Sequence, residues 1–174
     1  MQLPILFWRL VTLKSSADEM PYSRVLCLLL VLLNMAVTAV AMISPDIHRD
    51  LAIKTAVISV LASGLCLYSI SKYEKLSARF VQLWSAILLV DTICALLALG
   101  VFTALGMNLF TSFISIMLST WSWWVSVQFI MQAFNKKLWV AIGFTFLMQA
   151  ASVIALFLFV PELIELLNKA DNNT

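Results

Sequence analysis

Apolar residues run in five long blocks along this chain, each broken from the next by a few polar or turn-forming residues. A helix needs roughly 20 mainly apolar residues to cross about 30 Å of hydrocarbon at about 1.5 Å per residue. The blocks that meet this length are Val25 to Ile43, Leu51 to Ser71, Phe80 to Leu105, Leu109 to Phe134 and Leu138 to Val160. Their punctuation is SPDIHRD, KYEKLSAR, GMN, NKK and, after the last, Pro161. The pattern predicts an all-α polytopic membrane protein, a bundle of five spans joined by links too short for a soluble domain.

Composition agrees with the pattern. The chain has 174 residues, 63% hydrophobic and 11% charged, with a mean hydropathy of +1.00, which a domain with a polar exterior does not sustain. A net charge of +2, spread over the interhelical links, argues against a nucleic-acid partner. Cys27, Cys66 and Cys94 all sit inside apolar runs, where a thiol acts as a small hydrophobe, so no disulfide framework is expected. The amino terminus carries Arg9 and Lys14 among apolar residues and lacks a small-residue cleavage site, so it reads as retained.

Orientation follows from Lys and Arg, which collect on the cytoplasmic side. With the amino terminus inside, eight fall there (Arg9, Lys14, Arg24, Lys72, Lys75, Arg79, Lys136, Lys137) and three outside (Arg49, Lys54, Lys169). The carboxyl-terminal tail from residue 162, with an incidental sequon at Asn172, is then external. Residues 1–23 precede the first span. In them Leu6, Phe7, Leu10, Val11 and Leu13 share one helical face while Arg9 and Lys14 lean toward headgroups. Phe7, Trp8, Arg9 and Lys14 are thus the expected interfacial anchor. Ser16 and Glu19 have capping-box spacing, with Pro21 a natural start for the first span.

Two seams of small residues run through the spans. Ser112, Ser115, Ser119, Ser122 and Ser126 recur every three or four residues, as do Ala52, Ala56, Ser59, Ser63 and Cys66. In lipid, helices associate through close approach of small residues and hydroxyl bonding, so both seams are expected in helix interfaces, facing each other or another helix. The second use of such serines is to line an aqueous path. On the packing reading, leucine at Ser119 or Ser122 pushes the backbones apart.

One acid breaks the pattern. Asp91 lies in the middle of WSAILLVDTICALLALG, twelve residues or roughly 18 Å from Arg79. Gln149, Asn34 and Ser126 reach a similar level on three other spans, forming a candidate polar layer. An ionised carboxylate at mid-bilayer costs on the order of 3 kcal/mol, so it must find donors or be neutralised. Lys54, about 9 Å higher, is the one candidate ion partner. Two readings stand: a proton or cation site, or hydrogen-bonded glue between helices. A lone acid without a second acid or a His relay favours glue.

Of the aromatics, Trp121 and Trp124 share a face of the fourth span that Trp123 does not, and Trp8, Trp84 and Trp139 fall near the cytoplasmic edge, where tryptophan anchors. With His48 the single histidine, no nucleophile elbow and no phosphate loop, neither an enzyme nor a metal or other cofactor is expected.

The five closely spaced spans, the amphipathic amino terminus and the ADEMPYSR approach to the first span resemble the Yip-domain group of small polytopic proteins. The likeness covers the layout of nearly the whole chain, without the long cytosolic amino-terminal region of the eukaryotic members. Those members are implicated in vesicle traffic with small GTPases, and compact bacterial look-alikes reside in the inner membrane; no functional residue carries over. The resulting expectation is a non-enzymatic inner-membrane accessory, assembly or scaffold subunit. Its partners would be the bilayer and other membrane subunits or itself, met through the interfacial helix and KYEKLSAR. The alternative is a small proton-coupled carrier or channel using Asp91.

Overall fold

The computed structural model describes residues 3–14, 16–43, 49–106 and 108–162. His48, Lys169, the sequon and the tail beyond residue 162 lie outside the described residues, as does the side chain of Trp8. The elements are α1 (Leu3–Val11), α2 (Arg24–Met42), α3 (Arg49–Tyr73), α4 (Phe80–Leu105), α5 (Leu109–Phe134) and α6 (Leu138–Phe159), with short 3-10 turns at Ala17–Glu19 and Ser77–Arg79. No strand occurs among the described residues. Five helices, α2 to α6, are long and apolar enough to cross a membrane.

Helix ends are set by local chemistry. Ser23 caps α2, its Oγ accepting from the Leu26 amide at 3.2 Å. The capping box expected at Ser16 does not form; Ser16 precedes the 3-10 turn and makes no side-chain cap bond, and α2 starts three residues after Pro21. Between α4 and α5, Gly106 takes φ +72°, a conformation that favours glycine, and Asn108 then forms a reciprocal capping box with Thr111, both bonds at 3.0 Å. Asn135, at φ +49°, ends α5 in the left-handed conformation.

The five long helices alternate in direction and close a ring. α4 packs between α2 and α5, α6 between α5 and α3, and α3 returns to α2. One end of the bundle, called here the near end, carries Arg24, Tyr73, Phe80, Phe134 and Leu138; the far end carries Met42, Arg49, Leu105 and Leu109. The near half is dense: every residue of α4 from Leu83 to Val90 is buried, and Phe129, Ile130 and Phe134 of α5 fill the space beside it. The far half of α4 is much more open, with Leu96, Leu97 and Leu105 exposed. The outside of the bundle is apolar, as Leu28, Leu32, Phe146 and Phe157 illustrate, all more than half exposed.

Across the ring, α3 meets α4 at Gly64. A methyl group added there would stand 3.1 Å from Cζ2 of Trp84, so glycine is what lets the indole lie flat against the α3 backbone. Trp84 is therefore buried core, not the edge anchor its sequence position suggests. Trp139 is highly exposed, at 81%.

The amino-terminal segment closes the remaining side of α4. Leu10, Ala17 and Met20 are essentially inaccessible, and Phe7, Val11 and Leu13 pack on the same cluster. Leu10 thus rests on protein, with Phe7, Val11 and Leu13 partly buried beside it, while Ile5 is exposed, Arg9 half-buried and Lys14 exposed. Polar ties fix it: Gln82 Nε2 donates to the Met20 carbonyl at 2.9 Å, Trp121 Nε1 to the Val11 carbonyl at 3.2 Å, and Arg79 pairs with Asp18 at 3.2 Å. At the far end Lys54 pairs with Glu162 at 3.3 Å. A bond from its own backbone amide, then Lys54, hold the Glu162 carboxyl below its usual range. This tie is present at neutral pH and is lost as acid titrates Glu162 through that lowered range.

Buried apolar contact should outweigh the exposed ion pair at the amino-terminal segment. Leu10→Ala is expected to cost about 3 kcal/mol of stability and Asp18→Asn less than about 1 kcal/mol. Gly64→Leu, which drives a branched side chain into Trp84, should cost about 1–3 kcal/mol. Thermal unfolding in mild detergent measures all three.

Candidate functional site

The near-half plug stops at Asp91. Below that level α4 is enclosed; above it α4 is more exposed, and polar side chains join apolar ones on the inward side. Two cavities meet there. The larger, about 640 Å³, extends toward the far end between the outer parts of α2, α4 and α5, reaching Ile43 and Phe102. The smaller, about 120 Å³, lies on the ring axis and takes lining residues from all five long helices, with Trp84, Ile87 and Leu88 on its near side. At about 30 Å³ each, roughly four water molecules would fit the smaller one.

Asn34, Asp91, Ser126 and Gln149 line both cavities, so the polar layer inferred from residue counting is one contiguous locus at their junction. Its internal bonding differs from any direct network among the four. Asp91 accepts a hydrogen bond from Ser122 Oγ. Asn34 Nδ2 donates to Thr92 Oγ1 at 3.0 Å, and Thr92 in turn donates to the Leu88 carbonyl at 2.7 Å. Ser126 returns its proton to the Ser122 carbonyl at 3.0 Å. Gln149 is exposed into the cavity and makes no side-chain hydrogen bond among the described residues. Ser122 was grouped with the seam, not with the layer; its one-turn offset from Ser126 on the same face is the signal that could have placed it beside Asp91.

Charge is unbalanced at the junction. Among the described residues neither cavity is lined by Lys, Arg or His, and the one other titratable group on their walls is the Cys94 thiol. Lys54, the candidate ion partner, is engaged with Glu162 instead. An ionised Asp91 therefore has a single hydroxyl donor and no cation among the described residues.

The serine seam divides. Ser122 and Ser126 are buried where α5 packs on α4 and also line the larger cavity, Ser115 and Ser119 line it farther out, and Ser112 is exposed. The second seam lies against α6, not against the serines of α5: Ala52 and Ala56 are buried, and the Ser59 carbonyl accepts from Ser152 Oγ at 3.2 Å. Since α3 and α5 are not neighbours in the ring, the seams do not face each other. Ser59 and Ser63 look onto the smaller cavity, while Cys66 is half-buried nearer the plug. Trp123 lines the larger cavity, whereas Trp121 and Trp124 stand on the exposed side of α5. All three cysteines are free thiols.

Comparison with protein-family models, with curated proteins and with solved structures gave no match for this chain.

The divided seam separates two substitutions that the sequence alone treats alike. Ser122→Leu removes the donor to Asp91 and overfills a packed interface, and is expected to cost about 3 kcal/mol or more. Ser119→Leu projects into open space and should change stability by less than about 1 kcal/mol. Equal losses of melting temperature in detergent would show that the cavity collapses around α5.

Proposed function

We propose that this chain is a non-enzymatic integral membrane protein that carries or conducts a small solute through its five-helix ring, with Asp91 as the proton or cation site. The observation that supports this most is the meeting of both cavities at Asp91, an acid with no resident cation, on the axis of the ring. Glue between helices needs no cavity of this size on either side of it. In the accessory-subunit reading, KYEKLSAR offers a cytosolic contact surface, but two of its charges are engaged within the fold, Glu74 with Lys136 at 2.8 Å and Arg79 with Asp18 at 3.2 Å. The carrier reading therefore comes first.

In this proposal the apolar exterior faces lipid, and the near end, which holds Arg24, Lys72, Lys75, Arg79, Lys136 and Lys137, lies in the cytoplasm. The larger cavity then faces outward and the plug around Trp84 closes the inward side. Placement in a bacterial inner membrane rests on the short links and the Yip-like plan alone, and that likeness lends no residue to the site.

Two measurements test the proposal. In a cysteine-free background, Ser77→Cys should react with an impermeant thiol reagent in inverted vesicles and not in right-side-out ones; the reverse pattern inverts the topology. In proteoliposomes under an imposed pH gradient, a panel of inorganic cations, organic cations, amino acids and sugars should include at least one solute whose addition collapses the gradient about tenfold faster than in protein-free vesicles. Asp91→Asn should return that rate to background. Rates equal for wild type and variant across the whole panel overturn the carrier reading.

A further inference from the structure

The chemistry of the larger cavity narrows what it can hold. Among the described residues Asp91 supplies the one formal charge on its wall, and Asn34, Gln149, Ser115, Ser119 and Ser126 supply neutral polar groups. No basic side chain among the described residues lines it, so an anion would meet a carboxylate with none of these to offset it. The rest of the wall is apolar, including Val40, Ala98, Leu99, Phe102 and Trp123. A bare metal ion would use the polar corner and leave that wall without contact. At about 640 Å³ the cavity falls within the usual range for small organic ligands, roughly 300–1,000 Å³.

We propose that the larger cavity binds an organic cation, its charged nitrogen beside Asp91 and its apolar body against the wall that includes Trp123 and Phe102. The cation supplies the Coulombic partner that the described residues do not give Asp91, and the Trp123 ring on the same wall offers a cation–π or stacking partner. Gln149, exposed into the cavity without a hydrogen bond of its own, is placed to meet a polar group on the ligand. The Ser122 bond holds Asp91 against α5 and so fixes where the charge sits. This inference rests on the proposed carrier reading for the direction of movement, but the binding site stands or falls separately from it.

The probe is benzyltrimethylammonium, a permanent cation with an aromatic body, compared with benzenesulfonate, an anion of similar size. Titration of the purified full chain in detergent, followed by calorimetry, should give saturable binding of the cation and none of the anion. Asp91→Asn should weaken the cation at least about tenfold, and Trp123→Leu about threefold or more. Because a variant can fail to fold, a second readout uses the wild-type acid: in a Cys27→Ser, Cys66→Ser chain, Cys94 should react at least about tenfold faster with a trimethylammonium methanethiosulfonate than with its sulfonate counterpart. Saturating benzyltrimethylammonium should slow that reaction. Absence of saturable cation binding together with equal reaction of Cys94 with both reagents overturns the proposal. Binding of the cation without gradient collapse in vesicles removes the carrier reading and keeps the site; gradient collapse by a sugar or amino acid without cation binding removes the site and keeps the carrier.

Discussion

Enclosure of α4 is the constraint on which the rest of the structure depends. A helix in a ring of five normally keeps one side on the outer surface, yet from Leu83 to Val90 α4 has none free. α2 and α5 flank it, Gly64 of α3 lets Trp84 close the inside of the ring, and Leu10, Ala17 and Met20 of the amino-terminal segment cover the outside. Glycine at position 64 and the apolar residues of α1 thus serve one end, since without the first the indole has no room and without the second the outer face of α4 is bare. The polar ties from Gln82 and Trp121 to backbone carbonyls keep the segment in register at little cost, because each satisfies a carbonyl at a chain end that a helix would otherwise leave open.

The dense half makes the open half possible. A bundle whose near end is clamped around α4 need not pack along its whole length, and beyond Asp91 the inward positions include Ala41, Cys94, Ala95, Ala98, Ser115 and Ser119 among larger apolar residues. Small side chains bring backbones together only where a facing helix arrives. Ser122 and Ser126 meet α4 and are buried, while Ser115 and Ser119, on the same stripe of the same helix, meet space. One sequence device therefore has two structural results, decided by how far the neighbouring helix has diverged at that height.

That dependence explains what the sequence made legible. Hydropathy and punctuation place α2 to α6 within one or two residues of their observed ends, because span length and capping residues such as Asn108 are local properties. Counting residues from the charged ends brings Asn34, Asp91, Ser126 and Gln149 to one level, because helix rise is nearly constant. Which helix stands beside which is not local. It decided that Trp84 is core rather than anchor, that Lys54 meets Glu162 rather than Asp91, and that α1 lies on the bundle. A periodic face can be read from a single helix; its partner cannot.

The same reasoning bears on Asp91 itself. As structural glue, a carboxylate should be surrounded by donors, since an ionised group with unmet acceptors in an apolar bundle is costlier than the leucine that could replace it. Asp91 has Ser122 alone, while the nearby amide of Asn34 is turned to Thr92 and the hydroxyl of Ser126 to its own helix. Asn34 and Ser126 are committed elsewhere, Gln149 makes no side-chain hydrogen bond among the described residues, and Asp91 lines both cavities. An acid held this way would be stabilised by whatever enters that space with a positive charge or a proton, so incomplete internal pairing is the physical ground on which the proposed carrier reading rests.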